Sequence, residues 1–186
     1  MKYITIILLL IFTGCKNETR PEIQTEALTE NEIDNSVYNM WQNYTASHPE
    51  FQNVELPESW YFHNNKADAN RLANLVLSGK KQAASGLYAW YKEADADLPK
   101  TGLKHIITDF DGKAKAIIEI KKVDTIPFHK ISEAYAALDM GTTTDPLQKW
   151  KNAHWDFFST TMVESGETPT EDLLIVCEEF ETIWPE

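Results

Sequence analysis

The stretch Leu75-Val76-Leu77-Ser78-Gly79-Lys80-Lys81-Gln82-Ala83-Ala84-Ser85-Gly86-Leu87-Tyr88-Ala89-Trp90-Tyr91 decides how this chain is read. Its apolar run breaks at Ser78-Gly79, as a helix does when a glycine follows the last turn. Lys80 and Lys81 come next, then the small residues Ala83 to Gly86, then the aromatics Tyr88, Trp90 and Tyr91. Small side chains let a backbone pass close to a neighbour or a ligand, and a lysine at that point can hold an anion. The stretch therefore predicts a strand or loop that lines a pocket. It names no reaction.

Upstream, Asn65 or Asp68 can cap a helix whose buried stripe is Leu72, Leu75 and Val76. Before it, Val37, Met40, Trp41 and Tyr44 fall at helical spacing and predict an amphipathic helix that ends near His48-Pro49. Downstream the period changes to two. Leu103 to Phe110 reads as a strand, Asp111-Gly112 as a hairpin turn, and Lys113 to Ile126 as a second strand. In that second strand Ala114, Ala116, Ile118 and Ile120 share one face, and Lys115, Ile117, Glu119 and Lys121 the other. Ser132 caps a short helix, and the loop Asp139 to Asp145 leads into a helix that Pro146 opens. The stripe of that helix is Leu147, Trp150, His154 and Phe157 or Phe158. Leu173 to Cys177 is an apolar strand, and Phe180 to Trp184 closes the chain. This order predicts an α+β domain built around a small β-barrel or curled sheet with flanking helices.

At the N-terminus, Lys2 precedes the apolar run Ile4 to Phe12, which is shorter than the roughly 20 residues a membrane-spanning helix needs. The run closes on Thr13-Gly14-Cys15 and resembles a bacterial lipoprotein signal, in which the cysteine carries the lipid. The alternatives are an uncleaved anchor or a buried cysteine. Residues 1–14 are read as the leader, 15–35 as an acidic polar tether and 36–186 as the folded domain. The expected address is the cell envelope, with the domain facing the periplasm or the exterior and the membrane met through lipidated Cys15.

The chain carries a net charge of −12, and a field of that sign repels a phosphate backbone. Long nucleic acid is thus a poor partner. Once Cys15 is lipidated only Cys177 is left, so no intramolecular disulfide forms, and no Cys/His spacing suits zinc. No metal and no cofactor is expected.

From Trp41 to Ile183 the chain resembles the ASCH family, a relative of the RNA-binding PUA domain. The resemblance is carried by Gly79-Lys80-Lys81, Leu98-Pro99 with Gly102, Ile117-Ile118-Glu119 and Val123 through Pro127-Phe128. It continues with Trp150, His154, Phe157 and Phe158, then Val176-Cys177-Glu178 and Phe180. It implies a PUA-like barrel and a cleft for RNA or nucleotide-like ligands. Some members resemble amidohydrolases of acylated cytidine, or nucleases. The amidohydrolase arrangement joins a lysine and a threonine of a Gly-x-Lys-Thr-x-Thr stretch to a glutamate from an acidic loop. The threonine attacks, the lysine activates it or holds the oxyanion, and the carboxylate moves protons. Here the lysine is Lys81, the two threonines are Gln82 and Ala84, and the loop reads Met140-Gly141-Thr142-Thr143-Thr144, without either glutamate. An alanine cannot attack a carbonyl, so the reading leans away from an enzyme.

The leading expectation is a lipid-anchored binding module for a small nucleotide-like or otherwise anionic ligand. Its candidate contacts are Lys81, Gln82, Ser85, Tyr88, Trp90, Glu119, Thr142 and His154. Each has a plainer reading. Lys81 also suits a solvated position after a helix C-terminus. Tyr88 and Trp90 suit a core as well as a stacked base, and His154 suits a partly buried, satisfied histidine. Ser85 fits a pocket wall better than a nucleophile, and Glu119 is either a pocket carboxylate or an exposed strand residue. Glu178 and Glu179 read as solvated. The alternatives are a hydrolase with a rearranged site built on Lys81, Ser85 or Gln82, and Glu119, or a non-catalytic module whose acidic surface meets a protein partner.

Overall fold

The structure, a computed structural model, describes residues 33–185. The leader, Cys15 and all but the last three residues of the tether lie outside the described residues. Helix α1 (Asn35–Ser47) starts where the Asp34 carboxylate accepts the Ser36 amide at 2.8 Å, and it buries Val37, Met40, Trp41 and Tyr44. After the short strand β1 (Ser59–Trp60), Asn65 caps helix α2 (Lys66–Leu77) by accepting the Asp68 amide at 3.0 Å. The lysine stretch becomes strand β2 (Ala83–Leu87), and the aromatics after it form a short helix, α3 (Tyr88–Glu93). Strands β3 (Lys104–Thr108) and β4 (Ala114–Pro127) form the hairpin that Asp111-Gly112 predicts. Ser132 caps α4 (Glu133–Met140), α5 runs Pro146–Glu164, and β5 (Leu174–Pro185) unites the two closing segments in one strand.

The five strands make one sheet in the order β1-β3-β4-β5-β2, in which β1 runs parallel to β3 and the other pairs are antiparallel. Register breaks lie between Ile117 and Ile118 and between Ile120 and Lys122 of β4, where bulges bend the strand against β5. Both faces of the sheet are covered. Ile117 packs with Ile106 under α1, whereas Ala116, Ile118 and Ile120 meet Ala73 and Val76 of α2. Ile117 shares its face with charged neighbours in sequence, yet it is fully buried because α1 covers that face. Each such side chain contributes about 1.5–3 kcal/mol by leaving water. A third cluster joins β2 and β5 to α4 and α5 through Leu87, Ile175, Trp150 and Phe158.

A closed barrel is not what forms. β1 and β2 are the two edges and do not pair with each other. Residues from both edges, Trp60 of β1 and Ala84, Ser85 and Gly86 of β2, line one cavity instead. Among the described residues no helix is long and apolar enough to cross a membrane.

Candidate functional site

The cavity, about 770 Å³, is walled by Trp60, Tyr61, Phe62, Trp90, Phe157 and Phe158 and has Lys81, Ser85, Asp139, His154 and Glu178 on its polar lining. Local structure explains how Lys81 reaches it. Helix α2 ends in a left-handed glycine, Gly79 at φ 68°, and the Lys80 and Lys81 amides both return to the Leu75 carbonyl, at 2.9 and 3.0 Å. That turn sends the next side chain inward. Lys81 is 4% exposed, so its plainer reading as a solvated lysine does not hold.

The partner of Lys81 is Asp139, which sits in the last turn of α4 and is 1% exposed. The Lys81 ammonium donates to the Asp139 carboxylate through Oδ1 and to the Asp139 backbone carbonyl at 2.9 Å. It thereby satisfies a helix-terminal carbonyl as well as a carboxylate that lies at the unfavourable end of the helix dipole. Three more groups converge on the other oxygen. Ser85 Oγ donates to Asp139 Oδ2 at 2.5 Å, Trp150 Nε1 donates to it at 2.8 Å, and His154 Nε2 lies 3.3 Å away. Burial would raise the Asp139 pKa, but the charges of Lys81 and His154 and the bonds they make hold it well below the usual carboxylate range. The His154 ring stacks on Trp150 at 4.3 Å between centroids, and its Nδ1 is 3.0 Å from the Trp150 carbonyl. Phe62 covers the free side of the lysine, with Nζ 4.8 Å from its ring centre.

Around this floor the remaining polar groups are quiet. Tyr135 donates to the Ala84 carbonyl at 2.5 Å and stands 3.0 Å from Ser85 Oγ, and burial drives its phenol well above the ordinary value. Burial likewise pushes the Cys177 thiol up to about 12, so at neutral pH it stays protonated and unreactive. At the mouth Arg71 pairs with Asp68 at 2.8 Å.

Of the residues singled out from sequence, Lys81, Ser85, Trp90 and His154 come together in this cavity. Gln82, Tyr88, Glu119 and Thr142 do not line it. The Gln82 side chain is exposed, while its backbone bonds Leu138 and Phe180. Tyr88 lies under Lys92, 5.7 Å from its ring centre. Glu119 is held by Lys104 at 2.9 Å and Lys121 at 2.6 Å elsewhere on the sheet. Thr142 accepts the Thr144 amide within its own loop. Two residues escaped the sequence reading. Asp139, taken as the first residue of a loop, is the centre of the network, and Glu178, taken as solvated, is 9% exposed and lines the cavity.

The fold is that of a PUA-like ASCH domain. A model of the ASCH domain family matches residues 58–184, and the chain belongs to that family. Two solved structures are similar over most of its length. One is an ASCH domain from Lactobacillus crispatus JV V101, 30% identical, covering 84% of this chain and 99% of its own, with a TM-score of 0.74. The other is a protein from Enterococcus faecalis V583, 32% identical, covering 81% and 89%, with a TM-score of 0.73. No curated protein gives a significant match.

Proposed function

We propose that this chain is a binding module for a small, planar, nucleoside-like ligand that stacks between the aromatic walls of the cavity. The observation that carries the reading is a cavity of about 770 Å³ with aromatic walls and a prearranged polar floor. Every base has a face that an aromatic ring can stack on, whatever its edge. The charge of Lys81 is already matched by Asp139, and carboxylates outnumber cations on the lining. That balance favours a neutral ring over a phosphate, which narrows the expectation of an anionic ligand. The net charge of −12 argues in the same direction against long RNA or DNA.

A hydrolase is the second reading, favoured by the 2.5 Å bond from Ser85 Oγ to Asp139 Oδ2. The same bond argues against it. A carboxylate held so far below its usual pKa is a poor acceptor for a serine proton. Ala84, at the place of the family's threonine, lines the cavity and brings no hydroxyl. Binding without turnover fits these groups better.

The leader and Cys15 support a lipid-anchored protein of the cell envelope, so the ligand would be met outside the cytoplasm. Mass spectrometry of the protein made in a bacterial host tests this: a lipid-modified Cys15 at the N-terminus is expected, and an unmodified Met1 contradicts it.

The binding reading is tested by the thermal midpoint of the full chain with nucleosides, nucleotides and acylcytidines. Binding raises the midpoint by mass action, by several degrees at ligand about a hundredfold over Kd. Trp90→Ala is expected to weaken that binding by about tenfold or more, the usual weight of a stacked aromatic. Product in the same incubations would support the hydrolase instead.

A further inference from the structure

The cavity has a second polar end, where a carboxyl is left without a matching cation. Glu178 lies on β5 opposite Ala84 of β2, so its place is fixed by the sheet rather than by a loop. It is 9% exposed and yet lines the cavity. Among the described residues its one side-chain hydrogen bond comes from the Tyr91 hydroxyl of α3, which donates to Oε1 at 3.2 Å. Burial holds the Tyr91 phenol well above its ordinary value, so it stays a donor, and Oε2 is left without a partner. On β4 the facing residue is Val123, and the nearby Lys122 is taken by Asp124 at 2.8 Å and Glu179 at 3.1 Å. Of the lysine and arginine side chains on the lining, Lys81 is matched by Asp139 and Arg71 by Asp68. The charged group that acts on Glu178 is Glu58, of like sign, ahead of β1. Burial pushes the acid up to about 7, with the Tyr91 bond opposing the rise and Glu58 adding to it.

A carboxyl taken out of water without a cation is costly, and the fold gains no visible support from this one. A positive ligand reverses that cost, because an opposite charge beside a carboxyl restores its ionised form. The walls suit the same ligand. The faces of aromatic rings, tryptophan above all, attract a cation, most strongly where water is excluded. Trp60 and Trp90 share the lining with Glu178. A neutral ring fits the stack alone, whereas a positive ring fits both the stack and this carboxyl. Resting on the nucleoside-like reading of the cavity, we propose that its ligand is a cationic heterocycle, such as a pyridinium or ring-alkylated nucleoside, whose charge is met by the Glu178 carboxylate and the aromatic walls. Glu178 then determines the charge of the ring that the cavity accepts, and Tyr91 holds its Oε1. Binding of such a ring releases to solvent the proton that Glu178 carries below neutral pH, so uptake of the cation tightens as pH rises.

The test compares rings of like shape that differ in charge. Nicotinamide riboside is a pyridinium nucleoside with a fixed positive charge, and benzamide riboside is its neutral counterpart. A second pair sets 1-methyladenosine, positive at neutral pH, against adenosine. Dissociation constants are measured by calorimetry on the full chain and on Glu178→Gln, between about pH 6 and about pH 8. At the upper end the wild type is expected to bind the positive member of each pair about tenfold or more tightly than the neutral one. Glu178→Gln keeps the size and polarity of the side chain and removes its charge. It is expected to lose about tenfold for the positive members and no more than about twofold for the neutral ones. The wild-type affinity for nicotinamide riboside is expected to fall about tenfold from the upper to the lower pH, as an acid of pKa about 7 takes up its proton. In Glu178→Gln it should stay flat; His63 and His154, also on the lining, are common to both proteins, so their titration drops out of the comparison. Neutral rings that bind as tightly as positive ones overturn the proposal, as does an undiminished preference in Glu178→Gln or a flat wild-type profile. If only neutral rings bind, the nucleoside reading stands and this proposal falls. If no ring of either charge binds, both fail. A thermal midpoint checks that Glu178→Gln is folded, and the wild-type pH profile does not depend on the variant.

Discussion

Two residues without a local signature organise the site. Asp139 is read in sequence as the start of a loop because Met140-Gly141 follows it, and its partner Lys81 stands 58 residues away. Spacing rules work over a few residues and cannot pair groups so far apart. Glu178 has a polar neighbour, Glu179, and the pair looks solvated until α3 and Tyr91 close over one of them. The buried ion pair makes a sharp prediction. Removing one partner strands a charge, at a cost of about 3–5 kcal/mol. Lys81→Met and Asp139→Asn should each lower the urea-unfolding free energy by that order, and the double variant by clearly less than the sum. Additive losses would show that the two groups do not act as a pair. Glu178 makes an opposite kind of prediction. Its folded pKa of about 7 lies above the ordinary 4.5, so the folded state keeps a proton that the unfolded chain has released between those values. Stability should therefore fall as pH rises from 4.5 to 7, by roughly 3 kcal/mol for this group, and stay lowered above that. Measured against Glu178→Gln across that window, the wild type should lose ground steadily. A constant difference would mean that the carboxyl is not buried as described.

At the scale of elements, chemistry and pattern agree for most of the chain. Asn65 and Ser132 cap the helices that sequence assigns them, and Pro146 opens α5. The hairpin at Asp111-Gly112 follows from its turn residues. Two features were not legible. The aromatic segment after β2 coils into α3 and not a longer strand, because its rings pack on α5: Trp90 meets Phe158 edge-on at 5.6 Å. On β4 the alternation holds for Ala116, Ile118 and Ile120 against Ile117, but Ala114 falls with Ile117 in the cluster under α1, past the register shift between Ile107 and Thr108. The junction after α4 gives a prediction of its own. Gly141 sits at φ 63°, and a Cβ there would stand 3.3 Å from the Lys80 carbonyl carbon and oxygen. Gly141→Ala should thus cost about 1–2 kcal/mol from the left-handed backbone alone, with crowding added. It should also weaken ligand binding, because Lys80 precedes Lys81 and α4 carries Asp139. A variant as stable as wild type would contradict this close approach.

For the whole molecule, the family and the α+β class follow from the order of motifs, whereas the closed barrel does not. Closure needs two paired edges, and here β1 is only two residues long and β2 lies across the cavity from it. The opening in the sheet is what makes room for the cavity. The cavity is therefore a property of the fold as a whole, and its lining is drawn from β1, α2, β2, α3, α4, α5 and β5. That composite origin explains why sequence reasoning finds the lysine, the serine and the histidine, but not the carboxylates they face or approach. It also gives the most direct measurement of the central idea, that this cavity takes up a planar nucleoside-like ring. The chain has six tryptophans, each with an indole N–H resolvable by NMR. Trp60 and Trp90 line the cavity, Trp150 donates to its floor, and Trp41 and Trp184 lie in or against the core cluster under α1. On titration with cytidine and adenosine, the signals of Trp60, Trp90 and Trp150 should move together along one binding curve while those of Trp41 and Trp184 stay still. Stationary cavity signals, or shifts confined to Trp41 and Trp184, would contradict the account.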